Sequence, residues 1–257
     1  MNRLVRKTIL TVATFILFLL SWQAYVSLFT VPAHILPAPI QFFQEFIRYF
    51  ASGDIYSHIG TTLYEIIAGF FIGTFSGLVI GYLVAKNKFL ERIITPYVIL
   101  LQTIPKISIA PLFLLWFGLG VSSKIALVAL VVFFPIMINF IVGLRSVEKN
   151  MGDLLTILRA NRWQKFISVE MLIALPFIMS GVKVATTYAI TGAVIGELIG
   201  AQSGLGYLVI LGSETYDINL ILIAVVILCI IGIVLYLFVD FLEKKIIYWN
   251  KSQDLIL

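Results

Sequence analysis

Lys106 is the residue of this sequence whose type and position most directly indicate chemistry, because it stands between Pro105 and Pro111 in a long apolar stretch. A lysine in the middle of a membrane helix costs roughly 2.5–3.5 kcal/mol on insertion scales, so its ammonium group should face protein, water or a solute. One interpretation is a positive site on the route of an anion, with Gln102 and Glu197 as further polar candidates. The other is a lysine that bonds to carbonyl groups freed by the prolines, or that lies close to the cytoplasmic surface.

Three further charged residues interrupt or border apolar stretches. Lys183 follows Pro176 by seven residues, which predicts a position near the inner surface of a membrane. Glu65 and Glu197 lie near the outer ends of their stretches. We expect these carboxylates to neutralise lysines rather than to contact a solute.

Residue sets for catalysis or metal binding are missing from the sequence. It contains no HExxH motif, no paired intramembrane aspartates and no serine–histidine pair, and His34 and His58 both fall between apolar segments. Cys229 is alone and cannot form an internal disulfide. A G-x-x-x-x-G-K-[ST] phosphate loop is also missing. We therefore expect a chain that is not an enzyme and that binds no cofactor or metal itself.

Composition requires a lipid bilayer as the solvent for this chain. Of 257 residues, 61% are apolar and 12% are charged, whereas soluble domains carry roughly 25% charged residues. Six stretches are long enough to cross a membrane as helices. The sequence thus predicts an all-α membrane protein, one domain over 1–257, with six transmembrane helices at about 8–30, 60–85, 93–119, 124–144, 172–199 and 217–240.

Basic residues predict the orientation of these spans. Most lysines and arginines lie at the two termini, after the second span and after the fourth, whereas the opposite side carries only Arg48 and Lys124. The positive-inside rule then places both termini in the cytoplasm of a bacterial plasma (inner) membrane. The basic residues flank apolar segments instead of forming a stripe, which argues against a nucleic-acid partner. The first span is too long for a cleaved signal peptide, and no small-x-small site follows it.

Two connections are too long to be simple turns. The outer one, about 34–61, should form an aromatic helix that lies on the membrane surface. The inner one, 145–170, reads as two short amphipathic helices with Asn161 and Gln164 capping the second. This pair would suit a docking surface for another protein, or it could lie in the membrane interface. Separately, glycines spaced by four should give the second span a smooth packing face: Gly69, Gly73, Gly77 and Gly81.

The inner connection resembles the cytoplasmic "EAA" loop of binding-protein-dependent importer permeases. That family's pattern is Glu-Ala-Ala, three residues, Gly, nine residues, Ile, one residue, Leu-Pro. In this chain the corresponding residues are Asp153, Leu154, Leu155, Arg159, Val169, Met171 and Leu172. Further stretches, at 36–39, 102–120, 123–125 and 196–208, are similar to the nitrate, sulfonate, taurine and thiamine-precursor branch of the family.

The resemblance implies a type I ATP-binding-cassette importer permease fold. Two copies of the chain would form the pore, and two separate cassette ATPase subunits, which hold ATP and Mg, would dock on the inner loops. An extracytoplasmic solute-binding protein would deliver the cargo. The residues then expected to form the ATPase-coupling loop are Asp153, Leu154, Leu155, Leu158, Arg159, Ala160, Asn161, Arg162, Trp163 and Phe166.

Arg159 departs from the family pattern, which has glycine there. Because a left-handed conformation is costly for arginine, we expect the first helix to run on to Ala160 and the chain to bend at Asn161. Arg159 could then reach an acidic residue of the ATPase.

Four rival functions are less well supported. A self-contained secondary transporter usually shows internal repeats and more spans, and an energy-coupling substrate-capture subunit also has six spans but would not need the two-helix inner loop. A membrane-embedded enzyme would need a set of catalytic residues at membrane depth, and a channel would need a recognisable filter.

Overall fold

Apolar helices form all of the secondary structure in the part of the chain that is described. The computed structural model describes residues 3–147, 151, 155 and 157–247. The helices, in chain order, are α1 (Arg3–Leu28), α2 (Pro39–Ser52), α3 (Asp54–Lys86), α4 (Lys88–Thr103), α5 (Lys106–Phe117), α6 (Val121–Arg145), α7 (Arg162–Gly200), α8 (Leu205–Glu214) and α9 (Ile218–Ile246).

Five of these helices (α1, α3, α6, α7 and α9) are long and apolar enough to cross a membrane, and α4 with α5 makes a sixth span if the bent pair is counted as one. The all-helical membrane architecture is thereby confirmed. The third span is not the continuous helix expected over 93–119, because α4 and α5 meet at an angle of 103°.

Pro105 causes this break. The residue before a proline is pushed out of the helical region, and Ile104 has the extended dihedral angles φ −68° and ψ 126°. Proline also lacks the N–H that would continue the ladder of α4. One helix therefore ends at Thr103 and the next begins at Lys106.

The centre of the bundle is formed by α3, α6 and α7. The predicted packing role of the α3 glycines is confirmed, because all four face α6. A Cβ atom on Gly69 would lie 2.5 Å from Cβ of Val128, and one on Gly73 would lie 2.5 Å from the carbonyl oxygen of Ala129. Side chains at these positions would therefore push the two helices apart.

The outer connection contains α2, as predicted, but its aromatic face packs against protein. Phe42 is buried, and Phe46, Tyr49 and Phe50 pack against the main hydrophobic core. The Tyr49 hydroxyl donates a hydrogen bond to Asp217 Oδ2 at 3.2 Å. Burial, followed by the charge of Asp217, raises the pKa of Tyr49. The prediction that this helix lies on the membrane surface is therefore corrected, because its aromatic face packs against the protein core.

Candidate coupling segment and transport cavity

The bundle has a basic end, where α3 and α6 finish and α7 begins, and an opposite end, where α7 finishes at Gly200. The coupling segment, defined here as 155–166 without residue 156, lies at the basic end. Of the residues predicted to couple to an ATPase, Asp153 and Leu154 lie outside the described residues. The other eight are described, and they form one turn and the first residues of α7.

Arg159 is the pivot of this turn. Its φ angle is +52°, in the left-handed region, and the Ala160 amide donates to the Leu155 carbonyl oxygen at 3.0 Å. This bond, five residues back, is typical of a Schellman C-cap, in which the left-handed residue is usually glycine. The expectation that Arg159 stays helical and that the helix runs on to Ala160 is therefore wrong. The tight reversal before Asn161 overrides a conformational cost of roughly 1–2 kcal/mol.

Asn161 begins the next helix by the predicted capping box. Its Oδ1 accepts from the Gln164 amide at 2.8 Å, and Gln164 Oε1 accepts from the Asn161 amide at 2.8 Å. The reciprocal bonds satisfy two backbone donors that would otherwise lack partners at a helix start. The turn and the start of α7 are thereby fixed relative to each other.

Large apolar side chains are exposed on this segment. The exposed fractions are 78% for Ile157, 67% for Leu158 and 68% for Trp163. Phe166 lies between this patch and the bundle, with its ring 5.9 Å from the ring of Trp163 and 5.0 Å from the ring of Tyr82 on α3. One face of the segment therefore contacts the bundle, while the other presents an apolar patch that is available to a partner.

Two ion pairs connect this end to neighbouring helices. Lys86 Nζ, at the end of α3, lies 2.5 Å from Glu170 Oε1. Glu170 is the last residue of a π-helical turn of α7 that spans Phe166–Glu170. Arg145 Nη2 at the end of α6 lies 2.7 Å from Glu91 Oε1 on α4. Turns of π-helix inside longer helices occur frequently at functional sites. A displacement of the coupling segment would therefore reach α3 and α7 directly.

Gln102 and Lys106 meet at an open cavity of about 420 Å³ that is lined by α4, α5, α6 and α7. The Lys106 ammonium group donates to the Gln102 carbonyl oxygen at 2.7 Å, so it bonds to a carbonyl at the end of α4, beside the Pro105 break. Its side chain also lines the cavity, so both interpretations of this lysine have a counterpart in the structure. We call this space the Lys106 cavity; its remaining lining residues are Val131, Phe134, Pro135, Ile138, Asn139, Val184, Tyr188, Thr191, Gly192 and Ile195.

Three polar residues of the Lys106 cavity are absent from the sequence prediction: Asn139, Tyr188 and Thr191. Tyr188 and Thr191 share one face of α7 with Val184 and Ile195, at the spacing i, i+4, i+7 and i+11. This pair of polar residues on one face of an otherwise apolar helix is the sequence feature that could have identified them. Asn139 is four residues after Pro135, whose carbonyl oxygen accepts from Asn139 Nδ2 at 2.8 Å.

Glu197, the third predicted pathway residue, lies away from this cavity, buried at the opposite end. Its Oε1 accepts from the Thr62 hydroxyl at 2.6 Å, and its Oε2 accepts from the Gly206 amide. The Leu205 amide donates to the same Thr62 hydroxyl at 2.8 Å. Glu197 thus attaches the turn before α8 to α3. Gly204 in this turn has φ +114°, and any side chain there would collide with the Glu197 carboxylate.

The lysine that accompanies Glu65 and Glu197 is Lys124, and not Lys106 or Lys183. Lys124 is 2% exposed, although the sequence places it on the outer side. It interacts electrostatically with both carboxylates, and its ammonium group donates to the Leu119 and Gly200 carbonyl oxygens at 2.5 and 3.2 Å. Because α6 begins at Val121, its first turn carries this lysine into the bundle.

Lys183 pairs instead with two acids of α9. Its ammonium nitrogen lies 2.7 Å from Asp240 Oδ1 and also contacts Glu243 Oε2. Asp240 in turn binds Lys244 at 2.8 Å. Among the described residues, no group of three or more His, Cys, Asp or Glu side chains is arranged to hold a metal ion.

The comparisons with known proteins all match membrane components of transport systems. The family model described as "Binding-protein-dependent transport system inner membrane component" matches residues 77–248. The chain is 37% identical to the riboflavin transport system permease protein RibX of Chloroflexus aurantiacus, over 93% of this chain and 89% of that protein. It is 33% identical to the putative aliphatic sulfonates transport permease protein SsuC of Bacillus subtilis, over 91% and 84% of the two chains.

A third relative, the formylaminopyrimidine transport permease protein ThiX of Halalkalibacterium halodurans, is 30% identical over 93% of this chain and 95% of that protein. Among solved structures, the chain resembles an inward-facing structure of the MetNI methionine ABC transporter. The TM-score is 0.66 at 19% identity, over 75% of this chain and 95% of that one. At this identity the likeness concerns the fold.

Proposed function

The chain belongs to the family of inner-membrane components of binding-protein-dependent transport systems, and we infer that it is the pore-forming permease subunit of an ATP-binding-cassette importer. Two copies of the chain surround one pore, and a separate cassette ATPase, with its own ATP and Mg, binds to each copy. An extracytoplasmic solute-binding protein delivers a small solute. The chain itself performs no chemical step.

The observation that supports this proposal is the construction of the coupling segment. A capped turn holds Ile157, Leu158 and Trp163 exposed at the basic end, where a soluble partner can bury them. Phe166 and Glu170 connect the same segment to α3 through Tyr82 and Lys86. A push on the patch is therefore transmitted to membrane-spanning helices, which is what a pore driven by an external ATPase requires.

The distribution of basic residues supports the orientation. The basic end carries Lys86, Arg145, Arg159 and Arg162, and α9 also runs toward it. By the positive-inside rule this end faces the cytoplasm, as do both termini. The ATPases then dock from the cytoplasm, and the solute-binding protein docks at the opposite end.

The cargo is a small solute of the kind for which the family's branches are named. Relatives carry names that refer to riboflavin, aliphatic sulfonates and formylaminopyrimidine. Riboflavin, aliphatic sulfonates, taurine and thiamine-pyrimidine precursors are accordingly the solutes to test first, followed by nitrate, which the sequence resemblance also suggests.

Co-purification with a cassette ATPase of the same organism tests the proposal. Leu158→Asp places a charge in the exposed patch, so the ATPase should be lost from the purified membrane complex while the chain still inserts. Tyr216→Asp is the matched control, because Tyr216 is 82% exposed and lies beside α8, remote from the patch. Equal ATPase recovery from both variants would show that the patch is not the docking site.

A further inference from the structure

Among the described residues, Lys106 differs from Lys183, the other half-buried lysine of a spanning segment, in having no carboxylate within ion-pair distance. Lys183 binds Asp240 and Glu243. The buried Lys124 donates to two carbonyl oxygens and interacts electrostatically with Glu65 and Glu197 without forming an ion pair with either. No described carboxylate lies within ion-pair distance of the Lys106 ammonium group. Its one hydrogen bond among the described residues goes to the Gln102 carbonyl oxygen, and an ammonium group has three N–H donors.

An ammonium group within a membrane-spanning segment raises the free energy of insertion unless a counter-charge or polar groups neutralise it. Lys183 obtains its counter-charge from the protein through two ion pairs. Lys106 instead lines a cavity of about 420 Å³, which falls within the usual range for small-molecule sites. A counter-charge for Lys106 can therefore be supplied by a solute that enters this cavity.

The rest of the Lys106 cavity fits a small organic solute. Its wall is mostly apolar, and Gln102, Asn139, Tyr188 and Thr191 contribute polar groups. Neither the side-chain amide of Gln102 nor the hydroxyl of Tyr188 forms a hydrogen bond with another described side chain or backbone group. An apolar wall with a few convergent polar groups is typical of ligand pockets.

We propose that the Lys106 cavity is the intramembrane transit site for a small organic anion, with the Lys106 ammonium group as its counter-ion and Gln102 and Tyr188 as hydrogen-bonding partners. The anionic group is a carboxylate, a sulfonate or a phosphate, since each offers oxygen acceptors to a lysine. The direction of transport through this site rests on the proposed importer function. The preference for an anion does not, because it follows from the cavity itself.

Thiol labelling inside the cavity tests this preference without knowledge of the cargo. Thr191 lines the cavity and is exposed, so Thr191→Cys places a reporter thiol there in a background in which Cys229 is replaced by alanine. Two methanethiosulfonate reagents of similar size are compared, one with a sulfonate group and one with a trimethylammonium group. Labelling is done on detergent-solubilised membranes, so the result does not depend on recovery of an ATPase.

The ratio of the anionic to the cationic labelling rate is the readout, because a general change in access cancels from it. With Lys106 present the anionic reagent should react faster, and Lys106→Met should lower the ratio by about tenfold or more, as expected when a unit charge is removed from the cavity that Lys106 and Thr191 both line. Lys106→Arg should keep the ratio. Ser213→Cys, at an exposed position near the end of α8, should give a ratio that does not respond to Lys106.

An unchanged ratio in both Lys106→Met and Lys106→Gln would overturn the proposal, whether or not an ATPase co-purifies. If no ATPase is recovered but the labelling ratio depends on Lys106, the importer function is contradicted and the anion site is still supported. The two inferences are thus tested separately.

Discussion

Lys86 and Glu170 form an ion pair, with Nζ and Oε1 2.5 Å apart, that joins the end of α3 to the π-helical turn at the beginning of α7. The two residues are 84 positions apart in the sequence, and the pair lies directly behind the coupling segment. Together with the contact between Tyr82 and Phe166, it connects α3 to the segment at two points. This link is the structural basis of the coupling proposed here.

Lys86→Met should therefore uncouple the importer more than it destabilises the chain. The pair is partly exposed, so its loss should lower the free energy of unfolding by less than about 1 kcal/mol. The number of solute molecules imported per ATP hydrolysed, measured in proteoliposomes, should fall several-fold. The double variant Lys86→Glu with Glu170→Lys, in which the two charges are exchanged, should restore much of this import-to-hydrolysis ratio.

The matched control is Arg48→Met, which removes an exposed ion pair with Glu45 on α2. It should leave the import-to-hydrolysis ratio unchanged. An unaltered ratio in Lys86→Met would mean that this pair plays no part in coupling.

Arg159→Gly should stabilise the chain. Glycine removes a left-handed strain of roughly 1–2 kcal/mol but adds a backbone-entropy cost of about 0.5–1 kcal/mol. The net gain should be up to about 1 kcal/mol, or about 2–4 °C in the unfolding midpoint for a chain of this size. Arg159→Val should lower the midpoint, since a β-branched side chain fits this conformation worst. Intrinsic fluorescence during heating in detergent measures both, and a midpoint for Arg159→Gly below that of the wild type would refute the strain argument.

Gly73→Ala should destabilise the bundle, because the new Cβ would lie 2.5 Å from the Ala129 carbonyl oxygen and 2.8 Å from Cβ of Val132. Overpacking of this kind costs typically about 1–3 kcal/mol. Gly60→Ala lies on the same helix with nothing within 4 Å of its Cβ, so it should stabilise by about 0.5–1 kcal/mol. Thermal midpoints of the two variants should move in opposite directions; a Gly73→Ala midpoint equal to that of the wild type would show that α3 and α6 do not pack as described.

Topology gives a prediction that does not depend on stability. In a background without Cys229, cysteines at Ser52 and Ser203 should react with a membrane-impermeant thiol reagent added outside intact cells. A cysteine at Ser168, which is exposed near the basic end, should react only after the cells are opened. The reversed pattern would place the coupling segment outside the cell and rule out cytoplasmic ATPases as its partners.

The sequence predicts the spans well because each one is an apolar run interrupted by few charges, and that signal is local. Pro105 predicts a disturbance in the third span, but the 103° angle between α4 and α5 depends on how α4 packs on α3 and how α5 packs on α6 and α7. The capping box at Asn161 is also local, and it was predicted correctly. Arg159 shows the limit of local preference, since the closure of the turn imposes a conformation that arginine disfavours.

Partner choice among the buried charges could not be predicted from the sequence for a different reason. Which acid meets which lysine depends on the rotation and height of each helix in the bundle. Glu197 and Lys183 both lie on α7, yet Glu197 accompanies Lys124 and Lys183 binds Asp240. The Lys106 cavity likewise requires four helices to converge, so Asn139 carries no signal of its role, and the pairing of Tyr188 with Thr191 on one face of α7 indicates a polar face without indicating a cavity.

ATP-dependent uptake by the reconstituted complex tests the central claim most directly. Proteoliposomes containing this chain and its cassette ATPase, supplied with the solute-binding protein and its bound solute, should accumulate that solute only when ATP is hydrolysed. Leu158→Asp should abolish accumulation, the conservative variant Leu158→Met should retain it, and the chain without an ATPase should move nothing. Solute accumulation by this chain alone, driven by an ion gradient and indifferent to Leu158→Asp, would contradict the account and identify a self-contained secondary transporter.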